Sequence, residues 1–126
     1  ELLIVIVVIG ILAAISIVAY NGVTQKARDD KRISDVRNIV NAISSYNAET
    51  GTWLTASNAK SLLEDYGTVS VSTDALGKIA STVPATGSDV YQLSPCPSTG
   101  TQTGVSVVYW VEAEGAPSDP ITAGNC

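Results

Sequence analysis

The chain predicts an α+β fold, in which one long N-terminal α-helix carries a small antiparallel β-sheet head packed on its C-terminal half. Three observations predict it. Residues Leu2 to Ala19 form an apolar run interrupted only by Gly10 and Ser16. The stretch that follows repeats apolar residues at helical spacing, and the chain beyond Gly51 alternates in short strand-like runs separated by turn residues.

The opening segment, ELLIVIVVIGILAAISIVAY, would reach roughly 27 Å over its apolar run as a helix, close to the ~30 Å hydrocarbon core of a bilayer. In such surroundings every backbone N–H and C=O must be satisfied within the segment. A helix is therefore expected despite the many β-branched Ile and Val residues. A cleaved signal peptide fits poorly, because the run has no basic residue before it and is too long. Residues 1–24 are read as a membrane-spanning or equally dry helix.

Past Asn21-Gly22, a possible weak point, the helical pattern resumes. Lys26 to Arg37 interleaves five bases (Lys26, Arg28, Lys31, Arg32, Arg37) with Asp29, Asp30 and Asp35, the mixed-sign surface of a solvated helix face. Ile33, Val36, Val40 and Ile43, flanked by Ile39 and Tyr46, recur at three- and four-residue spacing and form a stripe that needs a partner surface. Gly51 is a natural stop in left-handed geometry. Residues 25–52 thus form the amphipathic half of one continuous helix, and the whole would be about 75 Å long.

Residues 53–126 form the head. Thr55 or Ser57 is placed to cap a short helix, Ala59 to Tyr66, closed by Gly67. Strands are expected at Thr68 to Ser72, Val90 to Leu93 and Val105 to Glu112. In the last, Val105, Val107, Tyr109 and Val111 alternate with the opposite face. Pro84 to Ser88 and Pro95 to Gly104 are turn clusters, and the tail from Glu114 to Cys126, with Pro117 and Pro120, reads as irregular. Trp53 and Trp110 are expected as packing residues.

Charge and cysteine content narrow the function. The formal charge is −5, and two basic residues (Lys60, Lys78) stand against eight acidic ones beyond Asn47. Nucleic acid is not expected as a partner of this surface, because phosphate contacts need clustered Lys and Arg. Cys96 and Cys126 lack paired C-x-x-C spacing, and the chain contains no His to complete a zinc site, so a disulfide is the better reading. Closing a ring of about 30 residues would contribute roughly 3 to 4 kcal/mol and would pin the C-terminus. It also implies an oxidising compartment. The bases after the span pull the other way under the positive-inside rule. A basic leader preceding Glu1 and later removed would reconcile the two.

ELLIVIVVIGILAAISIVAY is strongly similar to the N-terminal segment of type IV pilins and of the pseudopilins of type II secretion, and ARDDKRISDVRNIVNAISSYNAETGTW resembles their continuation. Beyond Trp53 the resemblance is one of plan, a sheet with a late cysteine pair. The resemblance implies a ladle-shaped subunit, cut by a prepilin peptidase and carried by inner-membrane assembly machinery from that membrane into an extracellular helical homopolymer. Such filaments serve adhesion, twitching motility, DNA uptake or secretion. It also implies that Glu1, Leu2, Leu3, Ile4, Ile6, Ile9, Gly10, Ile15 and Val18 act in assembly, with Glu1 pairing to a neighbouring subunit's N-terminal amine. That pairing requires a few residues before Glu1 in the mature chain, as family members usually have. Val18 departs from the Pro that many bacterial pilins carry there, so the strongest helix breaker is missing.

No catalytic apparatus is expected, and no cofactor or metal. There is no His, no G-x-x-x-x-G-K-[ST], and Asp74, Asp89 and Asp119 read as scattered loop acids. The expected function is a structural subunit of a type IV pilus filament. The alternatives are a major pseudopilin of a type II secretion system and a membrane-anchored binding module that does not polymerise.

Overall fold

The computed structural model describes residues 1–66 and 71–126. It is α+β. Helix α1 (Leu2–Thr50) runs unbroken for 49 residues, through Gly10, Val18 and the Asn21-Gly22 pair alike. It contains no proline, so no intrahelical hydrogen bond is lost along its length. Gly51 ends it with φ 72° and ψ 10°, and its N–H donates to the Asn47 carbonyl at 2.7 Å. That left-handed turn is the reason a glycine stands there.

The head packs on α1 from Arg32 upward. Val36, Ile39, Val40, Ala42 and Ile43 are buried, and Ile33 and Tyr46 are partly buried against the same core. Leu54 and Leu63 close it from one side; Tyr91, Leu93, Val105 and Val107 close it from the sheet. The core stripe therefore includes all four positions expected from the spacing, Ile33 lying at its edge. Trp53 packs partly buried against the core and Trp110 is buried.

Helix α2 (Ala59–Tyr66) lies where the sequence predicts it, but among the described residues neither the Thr55 nor the Ser57 hydroxyl accepts a backbone N–H from it. The Thr55 and Ser57 hydroxyls pair with each other at 2.9 Å. Asn58 does the local work: its Oδ1 accepts from the Thr55 N–H at 2.8 Å, while the Thr55 carbonyl receives the Asn58 and Ala59 N–H groups. Closure at Gly67 and most of the strand expected at Thr68 to Ser72 fall outside the described residues. The end of that stretch is not a strand. Ser72 caps helix α3 (Thr73–Gly77), its hydroxyl accepting from the Ala75 N–H at 3.2 Å. Asp74 accordingly sits in a helix first turn rather than in a loop.

The principal sheet has the order β1-β2-β3-β6 and is mixed rather than purely antiparallel. Strand β1 (Ile79–Ala80) pairs parallel to β2 (Tyr91–Cys96), because residues 81–90 double back instead of forming a hairpin. β2 and β3 (Gly104–Val108) are antiparallel, as are β3 and β6 (Ile121–Gly124). The run expected as one strand from Val105 to Glu112 breaks at Tyr109. Beyond it, β4 (Trp110–Val111) and β5 (Ala116–Pro117) form a separate two-stranded ribbon, held by the Ser118 N–H donating to the Tyr109 carbonyl at 2.7 Å. The tail is not irregular. Pro120 delimits a strand whose pairing to β3 satisfies its backbone and buries Ala123.

Cys96 and Cys126 are disulfide-bonded, their Cα atoms 5.1 Å apart. The bond passes beside Gly104, which is in register with both Cys96 and Gly124. A Cβ at Gly104 would strike the Ala123 carbonyl and come within 3.1 Å of the Cys126 sulfur. Gly104→Ala should therefore destabilise the head by about 1 to 3 kcal/mol through overpacking. Gly51→Ala, which meets open space, should cost only about 1 kcal/mol for its left-handed backbone. Denaturant unfolding of both variants checks the order; equal losses would remove the packing role of Gly104.

Candidate functional site

The apolar span is the most unusual surface of the molecule. Leu2, Leu3, Ile4, Ile6, Ile9, Ile15 and Val18 are all exposed, as are Val5, Val7, Val8, Ile11, Leu12 and Ile17 around the rest of the helix. Gly10 has nothing near the place a Cβ would occupy. A helix apolar on every side has no preferred core face, and suits either lipid or the interior of a helix bundle. An exposed apolar patch of more than a few hundred Å² marks an interaction surface.

Two of its hydroxyls are already satisfied along the helix. The Ser16 hydroxyl donates to the Leu12 carbonyl at 2.7 Å, and the Thr24 hydroxyl donates to the Tyr20 carbonyl at 2.9 Å. Both could enter a dry environment without leaving an orphan donor. Glu1 occupies the N-cap position of α1, and its side chain makes no capping hydrogen bond. Its carboxylate is thus uncommitted among the described residues.

Where the span meets the head, the charged stretch is more than a solvated face. Arg28 grips Glu112 with two nitrogens, Nε to Oε1 at 2.8 Å and Nη2 to Oε2 at 2.7 Å. Arg32, only 6% exposed, donates through Nη1 to Glu112 at 2.8 Å and to Asp29 at 3.2 Å, and through Nη2 to Asp89 at 3.1 Å. Asp29 in turn accepts the Glu112 N–H at 3.0 Å and the Ala113 N–H at 3.2 Å. One guanidinium thereby ties α1 to the β4–β5 turn and to the loop before β2. A second bridge runs from Lys31 to Asp35 and Asp74, and Lys78 also reaches Asp74. Asp35 accepts from the buried Tyr91 hydroxyl at 2.8 Å. Asp74 and Asp89 are therefore parts of this junction, not scattered acids.

The sequence pattern did not reveal this role. Alternating signs at three- and four-residue spacing describe an exposed helix equally well, and Glu112 and Asp89 are distant in the chain. The one available signal was Arg32, which falls on the same helix face as Val36, Ile39 and Val40.

The electrostatics follow from the geometry. Hydrogen bonds from Arg28, and then from Arg32, hold the Glu112 carboxyl at about 2, well below its ordinary 4.5. Burial opposes protonation of Arg32, but hydrogen bonds to Glu112 and Asp89 outweigh it and the guanidinium is held more firmly charged. Hydrogen bonds from Lys78 and Lys31 lower Asp74. Burial, followed by its bond to Asp35, raises Tyr91.

Comparison with family models, with curated proteins and with solved structures returns no match. The span and its ionic junction therefore carry the functional reading.

A carboxyl whose pKa is depressed on folding stabilises the protein above its unfolded pKa and loses that contribution as pH falls. Denaturant midpoints should accordingly fall between about pH 5 and pH 2. Glu112→Gln should flatten part of that slope, and an unchanged slope would dismiss the junction as a stabilising element. Arg32→Ala should cost about 2 to 3 kcal/mol, because it leaves Asp29, Asp89 and Glu112 less well paired. Thermal unfolding measures this loss directly.

Proposed function

We propose that this chain is a structural subunit that polymerises through its apolar helix into an extracellular filament of the type IV pilus kind. The observation that carries the reading is the unbroken run of α1 from a fully exposed apolar span into a head clamped to the same helix. A plain membrane anchor needs only the span. A rigid join between span and head is useful when the span itself sets the position of the head, as in a helical bundle.

Several features support this. The Ser16 and Thr24 hydroxyls are satisfied along the helix and can pass from lipid to a bundle without rehydration. Above it, α1 buries only one face in the head, leaving Ser34, Asn38, Asn41 and Ser45 partly or fully exposed on other faces of the helix. The disulfide suits a subunit that resides outside the cell. Glu1, uncommitted within the subunit, is available to pair with a neighbour's N-terminal amine; an ionised carboxylate beside hydrocarbon is costly otherwise. The inner membrane is the subunit's location before assembly, and a prepilin peptidase with its assembly machinery are its partners there.

The test is electron microscopy of sheared surface material, with mass spectrometry of its main protein. Fibres composed of this chain are expected. Ile9→Asp or Ile15→Asp should abolish them while leaving the head folded, since a charge at such a site costs several kcal/mol. Glu1→Gln should insert in the membrane yet yield few fibres, unless mixed with wild type. Normal fibres from the Asp variants would remove the bundle reading. A secretion defect without surface fibres would favour the pseudopilin role instead.

A further inference from the structure

Asn21-Gly22 is the one Asn-Gly pair in the chain. It lies inside α1, past the apolar run that ends at Ala19 and short of Arg28, the first side chain of α1 hydrogen-bonded to the head among the described residues. Tyr20, Asn21, Gly22 and Val23 are all exposed, and a Cβ at Gly22 would meet nothing within 4 Å. Local hydrogen bonding alone therefore holds this turn helical, and it contains two poor helix formers side by side.

An Asn-Gly pair in water carries its own chemistry. The Gly22 amide nitrogen attacks the Asn21 Cγ and a ring C–N bond forms. The Cγ–Nδ2 bond breaks, and Nδ2 leaves as ammonia with the proton that the amide gave up. Water then opens the cyclic imide at either carbonyl, leaving aspartate or isoaspartate. Glycine favours the first step because no Cβ crowds the attacking nitrogen.

The helix blocks that step in two ways. Asn21 is held at helical ψ, about −42°, with its side chain leaning toward the N-terminus and away from the Gly22 nitrogen. The Gly22 N–H is also committed to the Val18 carbonyl by the i→i−4 pattern. Ring closure requires Asn21 ψ to rotate, and that rotation breaks the bond to Val18.

We propose that Asn21-Gly22 is a conformation-gated modification site: helical α1 shields it, and opening of this turn lets Asn21 deamidate irreversibly. Either product places a carboxylate just beyond the apolar run. Isoaspartate also routes the backbone through the side chain, and the helical register cannot absorb the extra carbon. A chain that has opened here is thereby marked, and it loses the continuous join between span and head. The site needs no filament, because the turn is open to water in the single subunit.

The experiment incubates the full-length chain in detergent micelles at mildly alkaline pH. Mass spectrometry then follows loss of the Asn21 amide and appearance of the isoaspartyl linkage. Gln25→Pro supplies the opened turn, because a proline there clashes with the Asn21 carbonyl and displaces the peptide plane that carries the Gly22 nitrogen. Deamidation at Asn21 should be faster in Gln25→Pro than in wild type by on the order of tenfold, in step with faster hydrogen exchange across residues 20–25. Asn41 and Asn47, each followed by alanine in the same helix, should stay unconverted in both chains. Equal rates at Asn21 in the two chains would remove the helical gate. Faster exchange in Gln25→Pro with Asn21 left intact would remove the site itself.

Discussion

One helix has to live in two environments, and the rest of the structure follows from that constraint. The first half of α1 is apolar on every side and is left bare by the head. The second half is amphipathic and supplies one wall of the head's core. No loop, proline or hinge separates the halves. Any force that positions the span therefore positions the head, and the head cannot turn freely above whatever surrounds the span.

The junction between the halves is built from charge rather than apolar contact. Arg28 and Arg32 lie one turn apart on α1 and converge on Glu112, while Asp29 between them holds the backbone of the same turn. Arg32 is the costly member, since a nearly buried guanidinium must have its hydrogen bonds satisfied. Its three carboxylate partners meet that requirement and fix the β4–β5 ribbon against the helix. Among the described residues, Arg37, Glu114 and Asp119 take part in none of these ion pairs. Electrostatics thus divides between pairs closed within the subunit and groups left open at its surface.

Much of this was legible in the sequence, for identifiable reasons. The span and the stripe at Val36, Val40 and Ile43 are long, strongly periodic signals, and Gly51 is an unambiguous stop. The disulfide followed from two cysteines with no metal-ligating company. The C-terminal strand was hidden because Ile121 to Gly124 is too short for alternation to register and lies beside Pro120. Its strand character comes from pairing with β3, a tertiary effect. The parallel pairing of β1 was equally invisible, since two residues carry no direction. Arg32 looked like its exposed neighbours because the acids that enclose it come from far along the chain.

The central claim is that copies of this chain cover one another's apolar spans. The most direct measurement is a density map of sheared surface filaments at a resolution that traces side chains. The account predicts a dry axial bundle of parallel α1 helices, with residues 2–23 facing one another and the heads outside. Recovery of the chain only as a detergent-extracted monomer, with sheared fibres made of another protein, would contradict it.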